Sequence, residues 1–179
     1  PGTSITIPHT QSLSGYYYKH NYTIDYGDGT TKYVSSYNDP NATHTYALAG
    51  KYTVKIYGLC ETFDVYSTAP IKSYLSKIVS WGNVGLKLMT LYGSSKVTSI
   101  PNDTYQGLAE MGTFYYAFRK CSSIGEIPED LFKYTTKTKD FTGTFRDTSI
   151  FNIPEKLFWN CGEATTFYLT FASTLITSI

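Results

Sequence analysis

Apolar and polar residues follow two different patterns along the chain. In the first half, short apolar stretches alternate with polar residues; Tyr52, Val54 and Ile56, for example, are each separated by one polar residue. A period of two is typical of a β-strand with one buried face. The turn-forming stretch Gly-Asp-Gly-Thr at 27–30 separates two such stretches. We therefore predict a small β-sandwich over residues 1–68.

The second half repeats itself with a period of 26 or 27 residues. The dipeptide Ile-Pro begins at Ile100, Ile127 and Ile153, and Ile179 stands one period later. Another aliphatic residue precedes each of these isoleucines by three positions, which predicts a short extended segment with two buried side chains. We expect these segments to be parallel strands stacked in one ladder: residues 97–100, 124–127, 150–153 and 176–179.

Each repeat also carries two phenylalanines four positions apart. The pairs are Phe114/Phe118, Phe141/Phe145 and Phe167/Phe171. On a one-turn helix such rings point the same way, and the proline after each isoleucine suits the first turn of a helix. We expect Phe118, Phe145 and Phe171 to be core residues. Since one unit cannot bury its strand and its rings alone, the pattern predicts a solenoid over residues 71–179, with an entry segment at 71–96 and repeats from 97.

Composition indicates a folded, β-rich protein. The chain has 179 residues, of which 41% are hydrophobic and 16% charged, and its formal net charge is +1. So weak a charge argues against nucleic acid or an anionic membrane as the main partner. No apolar run reaches the roughly 20 residues of a membrane-spanning helix, and a start at Pro1-Gly2 without a signal peptide suggests a trimmed or processed chain. The 18 tyrosines and many β-branched residues favour strands over helical bundles.

The turn at 27–30 raises the question of a cation site. Asp25 and Asp28 are spaced somewhat as in a calcium loop, but further acidic ligands and a distal bidentate glutamate are missing. Asp-Gly also marks hairpins, in which the aspartate accepts hydrogen bonds from local amides and Gly29 takes a positive φ. The turn interpretation is favoured, and calcium binding is the alternative.

No other motif predicts a metal, a cofactor or a catalytic centre. The cysteines are Cys60, Cys121 and Cys161. An odd number without CxxC spacing disfavours a metal cluster and implies no disulfide framework. HExxH, P-loop, GxGxxG and GxSxG patterns do not occur. Glu126, Glu129 and Asp130 could supply a carboxylate pair for glycoside hydrolysis, but predicted strand ends and helix starts account for them equally well. We therefore predict a protein that is not an enzyme.

The stretch YTIDYGDGT followed by HTYALAGKYTVKI resembles the PKD-type immunoglobulin-like domain. The matching positions are Tyr26 to Thr30, His44 to Tyr46, Gly50 and Tyr52 to Val54. The resemblance covers about a third of the chain and implies an immunoglobulin-fold β-sandwich in which His44 is a structural side chain. The leading strands are shorter than in most such domains.

The repeats FRKCSSIGEIPEDLF and FRDTSIFNIPEKLFWN resemble the BspA-like leucine-rich repeats of bacterial surface proteins. The segment IVSWGNVGLKLMTLYGSS is similar to the Trp-Gly stretch that opens such arrays after a PKD-like domain. Ile and Phe replace most of the leucines of that family, and its usual cysteine appears only as Cys121. The resemblance implies an extracytoplasmic bacterial protein, at the cell surface or secreted.

In such a solenoid, the outward residues between the paired aliphatics form the binding surface. The candidate ligand-contacting residues are Thr98, Glu126, Phe151, Asn152 and Thr177. Phe151 is large and apolar where the other repeats carry small or polar residues, so it is either an exposed anchor or packs against a neighbouring loop. We expect non-catalytic adhesion to a host protein or glycan. The alternative is an accessory carbohydrate-binding module of a polysaccharide-degrading system or larger enzyme.

Overall fold

The computed structural model describes residues 4–66 and 69–177. The strands in this part are β1 (Ser4–Thr6), β2 (Ser12–Leu13), β3 (Tyr16–Tyr17), β4 (His20–Asp25), β5 (Thr31–Val34), β6 (Thr43–Thr45), β7 (Lys55–Cys60), β8 (Thr62–Asp64) and β9 (Leu88–Thr90). A 3-10 turn at Pro40–Ala42 and one short helix, α1 (Ala69–Lys72), are its only helical elements. The prediction of a β-rich chain is confirmed.

The central sheet of the first half has three antiparallel strands in the order β5–β4–β7. Along β4, Tyr22 and Ile24 are buried whereas Asn21 and Thr23 are exposed, as expected of a strand with one face on the core. β1 pairs with β6 and β2 pairs with β3, both antiparallel. These strands surround what we call the first cluster: Ile7, Tyr22, Ile24, Tyr26, Val34, Ala42, Tyr46 and Cys60.

The predicted turn joins β4 to β5. Gly27 and Gly29 have φ angles of +80° and +90°, which residues with a side chain rarely adopt. A Cβ atom on Gly27 would lie 2.6 Å from the carbonyl oxygen of Thr53. Only glycine therefore lets the turn approach the segment that leads into β7. The alternation predicted around Tyr52 reaches that segment, although the strand itself begins at Lys55.

In the second half, backbone amides donate hydrogen bonds to carbonyl oxygens about one sequence period later. Four amides within residues 114–120 donate to carbonyls within 140–146, at 2.8–3.0 Å. Four amides within 141–147 donate in the same way to 166–172, again at 2.8–3.0 Å. Parallel bridges also connect residue 113 to 140 and residue 140 to 166. Successive repeats are therefore hydrogen-bonded in parallel through what we call the phenylalanine segments, residues 114–120, 141–147 and 167–173.

Successive turns, rather than a helix, set the spacing of the phenylalanine pairs. In the segment 114–120 the phenylalanine carbonyl accepts from the amide three residues later, at 2.9 Å for Phe114 and 3.1 Å for Phe118. The third residues of these turns, Tyr116 and Lys120, have φ angles of 54° and 59°, as type II turns require. Phe114 and Phe118 open equivalent turns, so both rings face the same way. The helix expected for these pairs is wrong.

The segments predicted as stacked strands are not strands in the part of the chain that the structure describes. Residues 97–100, 124–127, 150–153 and 176–177 have no strand assignment, and residues 178–179 lie outside the described residues. Isolated backbone hydrogen bonds occur instead of a ladder. The Leu175 amide, for example, donates to the Ile150 carbonyl oxygen at 2.8 Å. The proline after each of the first three segments has no amide to donate and so cannot extend the pairing. Instead of a helix, Pro128 starts a turn closed by the Leu131 amide at 3.2 Å.

Two columns of stacked phenylalanine rings run through the second half. The first column is Phe114, Phe141 and Phe167, and the second is Phe118, Phe145 and Phe171. Adjacent centroids lie 5.5 and 5.3 Å apart in the first column and 5.2 and 5.6 Å apart in the second. Phe118 and Phe145 are fully buried, as predicted, whereas Phe171 is half-buried at the end of its column.

The two halves meet where β8 pairs in parallel with β9, which lies inside the predicted entry segment. Phe63 and Val84 pack against both the first cluster and the core around the phenylalanine columns. Beside them, the buried Glu61 carboxylate accepts from Lys87 Nζ at 2.7 Å. The helix α1 spans the predicted junction near Ala69-Pro70.

Replacing Phe145 tests the second column, because its ring stacks between Phe118 and Phe171. We expect Phe145→Ala to lower the free energy of unfolding by about 3–5 kcal/mol, since it removes a fully buried ring and leaves a cavity. Urea unfolding followed by circular dichroism measures the loss. Phe167→Ala is the control, because Phe167 is 46% exposed and gives up less buried area. Equal losses in the two variants would contradict the role of the buried column.

Candidate functional site

Three of the predicted surface residues line one open groove. Thr98, Glu126 and Phe151 come from successive repeats and border a space of about 480 Å³. The remaining lining residues are Ser99, Ile100, Gly125, Ile127 and Pro128. Ile100 and Ile127 are buried and form the apolar floor. The groove thus combines residues at equivalent positions of neighbouring repeats, as the period in the sequence suggests.

Phe151 is the most prominent apolar group at this groove. Its side chain is 56% exposed, so it is not packed away beneath a loop. A Cβ atom on Gly125 would lie 3.8 Å from Phe151 Cε1, so the ring rests beside the glycine of the preceding repeat. The open side of the ring is available to a partner.

The other two predicted residues do not border the groove. Asn152 and Thr177 are both exposed, but neither belongs to its lining. The sequence prediction omitted Pro128, which follows the aliphatic pair and contributes to the groove. A proline follows the second residue of the aliphatic pair in three repeats, after Ile100, Ile127 and Ile153. This recurrence is the sequence signal that could have identified Pro128 as a surface residue.

Among the residues that line the groove, Glu126 carries the one charged side chain. The other carboxylates considered for hydrolysis, Glu129 and Asp130, directly follow Pro128 but do not line the groove. Asp130 Oδ2 accepts from Lys133 Nζ at 3.3 Å. The groove therefore combines apolar side chains with the hydroxyl residues Thr98 and Ser99 and a single negative charge. Such a surface favours a partner that brings an apolar group together with a cation or a hydrogen-bond donor.

The carboxylates of the β4–β5 turn are engaged by local groups. Asp25 Oδ1 accepts from the Gly27 amide at 2.8 Å, and Asp28 Oδ1 accepts from the Thr30 amide at 3.0 Å. The second oxygen of Asp28 lies 2.7 Å from His44 Nε2, and this hydrogen bond is the main reason that the pKa of Asp28 is lowered. The geometry is that of a side-chain-stabilised turn, which supports the turn interpretation over a calcium loop.

A group of metal-ligating side chains lies in the first half, where the sequence predicted none. One ligand atom from each of His9, His20 and Cys60 lies within 4.8 Å of the other two. Burial lowers the pKa of His9 to about 4 and also lowers that of His20, and it raises the pKa of the Cys60 thiol to about 12. All three are therefore uncharged at neutral pH. Their separation in the sequence leaves no spacing motif by which they could have been found.

Comparison with protein-family models, with curated proteins and with solved structures found no match to this chain. The resemblances to PKD-type domains and BspA-like repeats therefore stay predictions. Among the described residues, none of the helical segments has the length and apolar character needed to cross a bilayer.

We expect calcium to leave the melting temperature unchanged. The Asp25 and Asp28 oxygens already accept hydrogen bonds from the backbone and from His44. A site with ~10 μM affinity would add about 2.7 kcal/mol of stability at 1 mM calcium, a shift of several degrees. Differential scanning fluorimetry with and without 1 mM calcium makes the comparison. A calcium-dependent rise that disappears in Asp28→Ala would show that the turn is an ion site.

The Asp28–His44 pair makes stability depend on pH. Because the folded-state pKa of Asp28 lies below its ordinary value of 3.8, the stabilisation is complete above that value and is lost as pH falls through the folded pKa. We therefore expect Asp28→Asn to lower the melting temperature at pH 7 and to differ less from the parent near pH 3. Melting curves of the parent and of Asp28→Asn, recorded at pH values between those two, measure how the difference in melting temperature changes.

His44→Gln provides the matched variant, because it removes the partner of Asp28. The melting temperature of the double variant should be close to those of the single variants. The two substitutions break the same hydrogen bond, so their effects on stability do not add. A melting difference for Asp28→Asn that stays constant across the pH range would contradict the pairing.

Proposed function

We propose that this chain is a non-catalytic binding protein of the cell surface or the extracellular space, which adheres to a host protein or glycan through the groove of Thr98, Glu126 and Phe151. One observation carries the proposal: the Phe151 side chain remains 56% exposed at the groove. Aromatic side chains combine a large apolar area with few rotatable bonds, and they are enriched among the residues that dominate binding energy.

The proposal includes a PKD-like immunoglobulin-fold β-sandwich at residues 1–68 and a BspA-like leucine-rich-repeat solenoid at 71–179. The presence of one hydrophobic cluster in each half supports this division. Parallel hydrogen bonds at intervals of one sequence repeat support the solenoid. In a solenoid, equivalent positions of successive repeats form one continuous surface, which is where the groove lies. The sandwich would then act as a spacer and as the N-terminal cap of the repeats.

The chemistry of the groove narrows the kind of partner. Glu126 supplies a negative charge beside the exposed ring of Phe151 and the floor of Ile100 and Ile127. A host protein segment with a basic residue next to an apolar one satisfies both features, because the cation pairs with the carboxylate while the apolar group covers the ring. The location outside the cell rests on the resemblance to bacterial surface repeats.

A second candidate is an accessory carbohydrate-binding module. Two aromatic side chains away from the groove favour it, because Trp159 is 70% exposed and Tyr168 is 68% exposed. Lys156 Nζ lies 5.0 Å from the Trp159 ring centroid and shields one face of it. A module that binds polysaccharide would use these rings, whereas the adhesion proposal uses Phe151.

Paired substitutions separate the two candidates. Binding of the parent chain is measured by biolayer interferometry on a panel of immobilised extracellular-matrix proteins, host glycans and bacterial or plant polysaccharides. For a host ligand, we expect Phe151→Ala to weaken binding by about tenfold or more, as for an interface anchor. Trp159→Ala, also an exposed aromatic, should leave that affinity unchanged.

Glu126→Gln tests the charge of the groove independently of the ring. We expect it to weaken binding at low salt and to have less effect at high salt, because added ions screen the carboxylate. Host-ligand binding that survives Phe151→Ala and Glu126→Gln would refute the groove as the site. Polysaccharide binding lost in Trp159→Ala would favour the carbohydrate-binding module.

A further inference from the structure

Three side chains from distant parts of the first half converge at one place beside the first cluster. His20 begins β4 and is the cross-strand partner of Cys60, the last residue of β7. His9 follows β1, and its ring centroid lies 4.4 Å from that of His20. One ligand atom of each residue lies within 4.8 Å of the other two. Metal–ligand bonds of about 2.0–2.3 Å hold such atoms roughly 3.5–4 Å apart, so small rotations of the side chains suffice.

His20 has the features of a metal-ligating histidine. The residue is 4% exposed, and within the described residues its Nδ1 atom is buried without a hydrogen-bond partner. Its Nε2 atom lies 2.9 Å from Thr62 Oγ1, which fixes the orientation of the ring. Ligating histidines commonly use one nitrogen for the metal and hold the other in a hydrogen bond. An unsatisfied buried nitrogen is costly, and a metal ion at Nδ1 would remove that cost.

His9 presents the second nitrogen donor. Its Nδ1 lies 3.3 Å from the carbonyl oxygen of Tyr37, which can only accept, so Nδ1 carries the proton. The lone pair is therefore on Nε2, where the Tyr22 hydroxyl donates at 2.8 Å. A metal ion would replace that hydroxyl as the partner of Nε2. Because His9 is only half-buried, it also marks the side from which an ion can enter.

Cys60 supplies the anionic ligand. Its Sγ donates to the Thr62 carbonyl oxygen at 3.3 Å. Because a carbonyl oxygen can only accept, the sulfur in this structure carries its proton. When a metal–sulfur bond forms, the S–H bond breaks and the proton passes to water, so binding releases one proton and involves no oxidation.

We propose that His9, His20 and Cys60 bind one copper(I) ion. A soft thiolate with two imidazoles suits copper, and a trigonal set of these ligands is a known copper geometry. Cu⁺ with one thiolate is electrically neutral, whereas Zn²⁺ would leave a positive charge in a buried site, which is costly. Structural zinc sites moreover use four protein ligands, and the described residues supply three here. The nearby Glu61 carboxylate offers no further compensation, because Lys87 already pairs with it at 2.7 Å.

The test removes the competing thiols first. In a Cys121→Thr/Cys161→Thr background, each cysteine becomes the residue found one repeat away, at Thr148 and Thr135. The purified protein is titrated anaerobically with Cu⁺ in the presence of bicinchoninate, which is coloured when it holds Cu⁺. We expect the chain to withdraw one equivalent of copper. An excess of Zn²⁺ should not displace it. If the chelator keeps all the copper, or if Zn²⁺ displaces it, the proposal is wrong.

Single substitutions then locate the ion. His9→Ala and Cys60→Ala should each weaken copper binding by more than about 100-fold, because even outer-shell changes cost 10–100-fold. His44→Ala is the matched control, since it removes another buried histidine that lies outside the group and should keep the parent affinity. Unchanged binding in His9→Ala and Cys60→Ala would place the ion elsewhere and overturn the proposal.

X-ray absorption at the copper edge gives a measurement that does not depend on folding of the variants. The copper complex of the background protein should show one sulfur and two nitrogen scatterers. A first shell without sulfur, or with no nitrogen, would overturn the assignment even if the substituted chains fail to fold.

Discussion

The stacking of phenylalanine rings between repeats is the interaction on which the second half depends. Adjacent rings lie 5.2–5.6 Å apart and nearly parallel, while the backbone hydrogen bonds beside them measure 2.8–3.0 Å. Offset aromatic stacking and parallel hydrogen bonding tolerate nearly the same spacing between chain segments. The period is 27 residues from Phe114 to Phe141 and 26 from Phe141 to Phe167. Both steps keep the ring stacking and the hydrogen bonds, so the one-residue difference is accommodated outside the phenylalanine segments. The stacking of repeats also brings Thr98, Gly125 and Phe151, which hold the same position in successive repeats, together at one groove.

The period in the sequence predicted which rings are buried, but not the backbone that holds them. Burial follows from the repeated positions, and Phe118 and Phe145 are indeed in the core. The backbone depends on type II turns whose left-handed residues are Tyr116 and Lys120 rather than glycine. Type II turns favour glycine at that position, so phenylalanines four residues apart without such a glycine predict a helix instead. Between repeats, hydrogen bonds stabilise the unfavourable φ of these residues, and that contribution cannot be deduced from a single repeat.

The β4–β5 turn shows the opposite case. Its sequence contains nearly everything that determines it: the glycines take positive φ, and Asp28 accepts from an amide two residues later. The contact with His44 crosses 16 residues, yet both partners belong to the stretch whose sequence resembles a PKD-type domain. No short stretch of sequence contains the group of His9, His20 and Cys60, so no local motif predicts it. It depends on the pairing of His20 with Cys60 across two strands, which exists only after the sheet has formed.

That pairing also connects the buried group to the junction of the two halves. The Cys60 amide donates to the Val84 carbonyl oxygen at 2.8 Å, so one residue contributes both to the His–Cys group and to the contact with the entry segment. Thr62 has a similar double role, because its hydroxyl lies against His20 Nε2 while its backbone pairs with Leu88. Any ligand that fixes the side chains of Cys60 and His20 would therefore also restrain β8, through which the first half contacts the entry segment. Phe63 and Val84 pack against both cores, which makes that contact apolar.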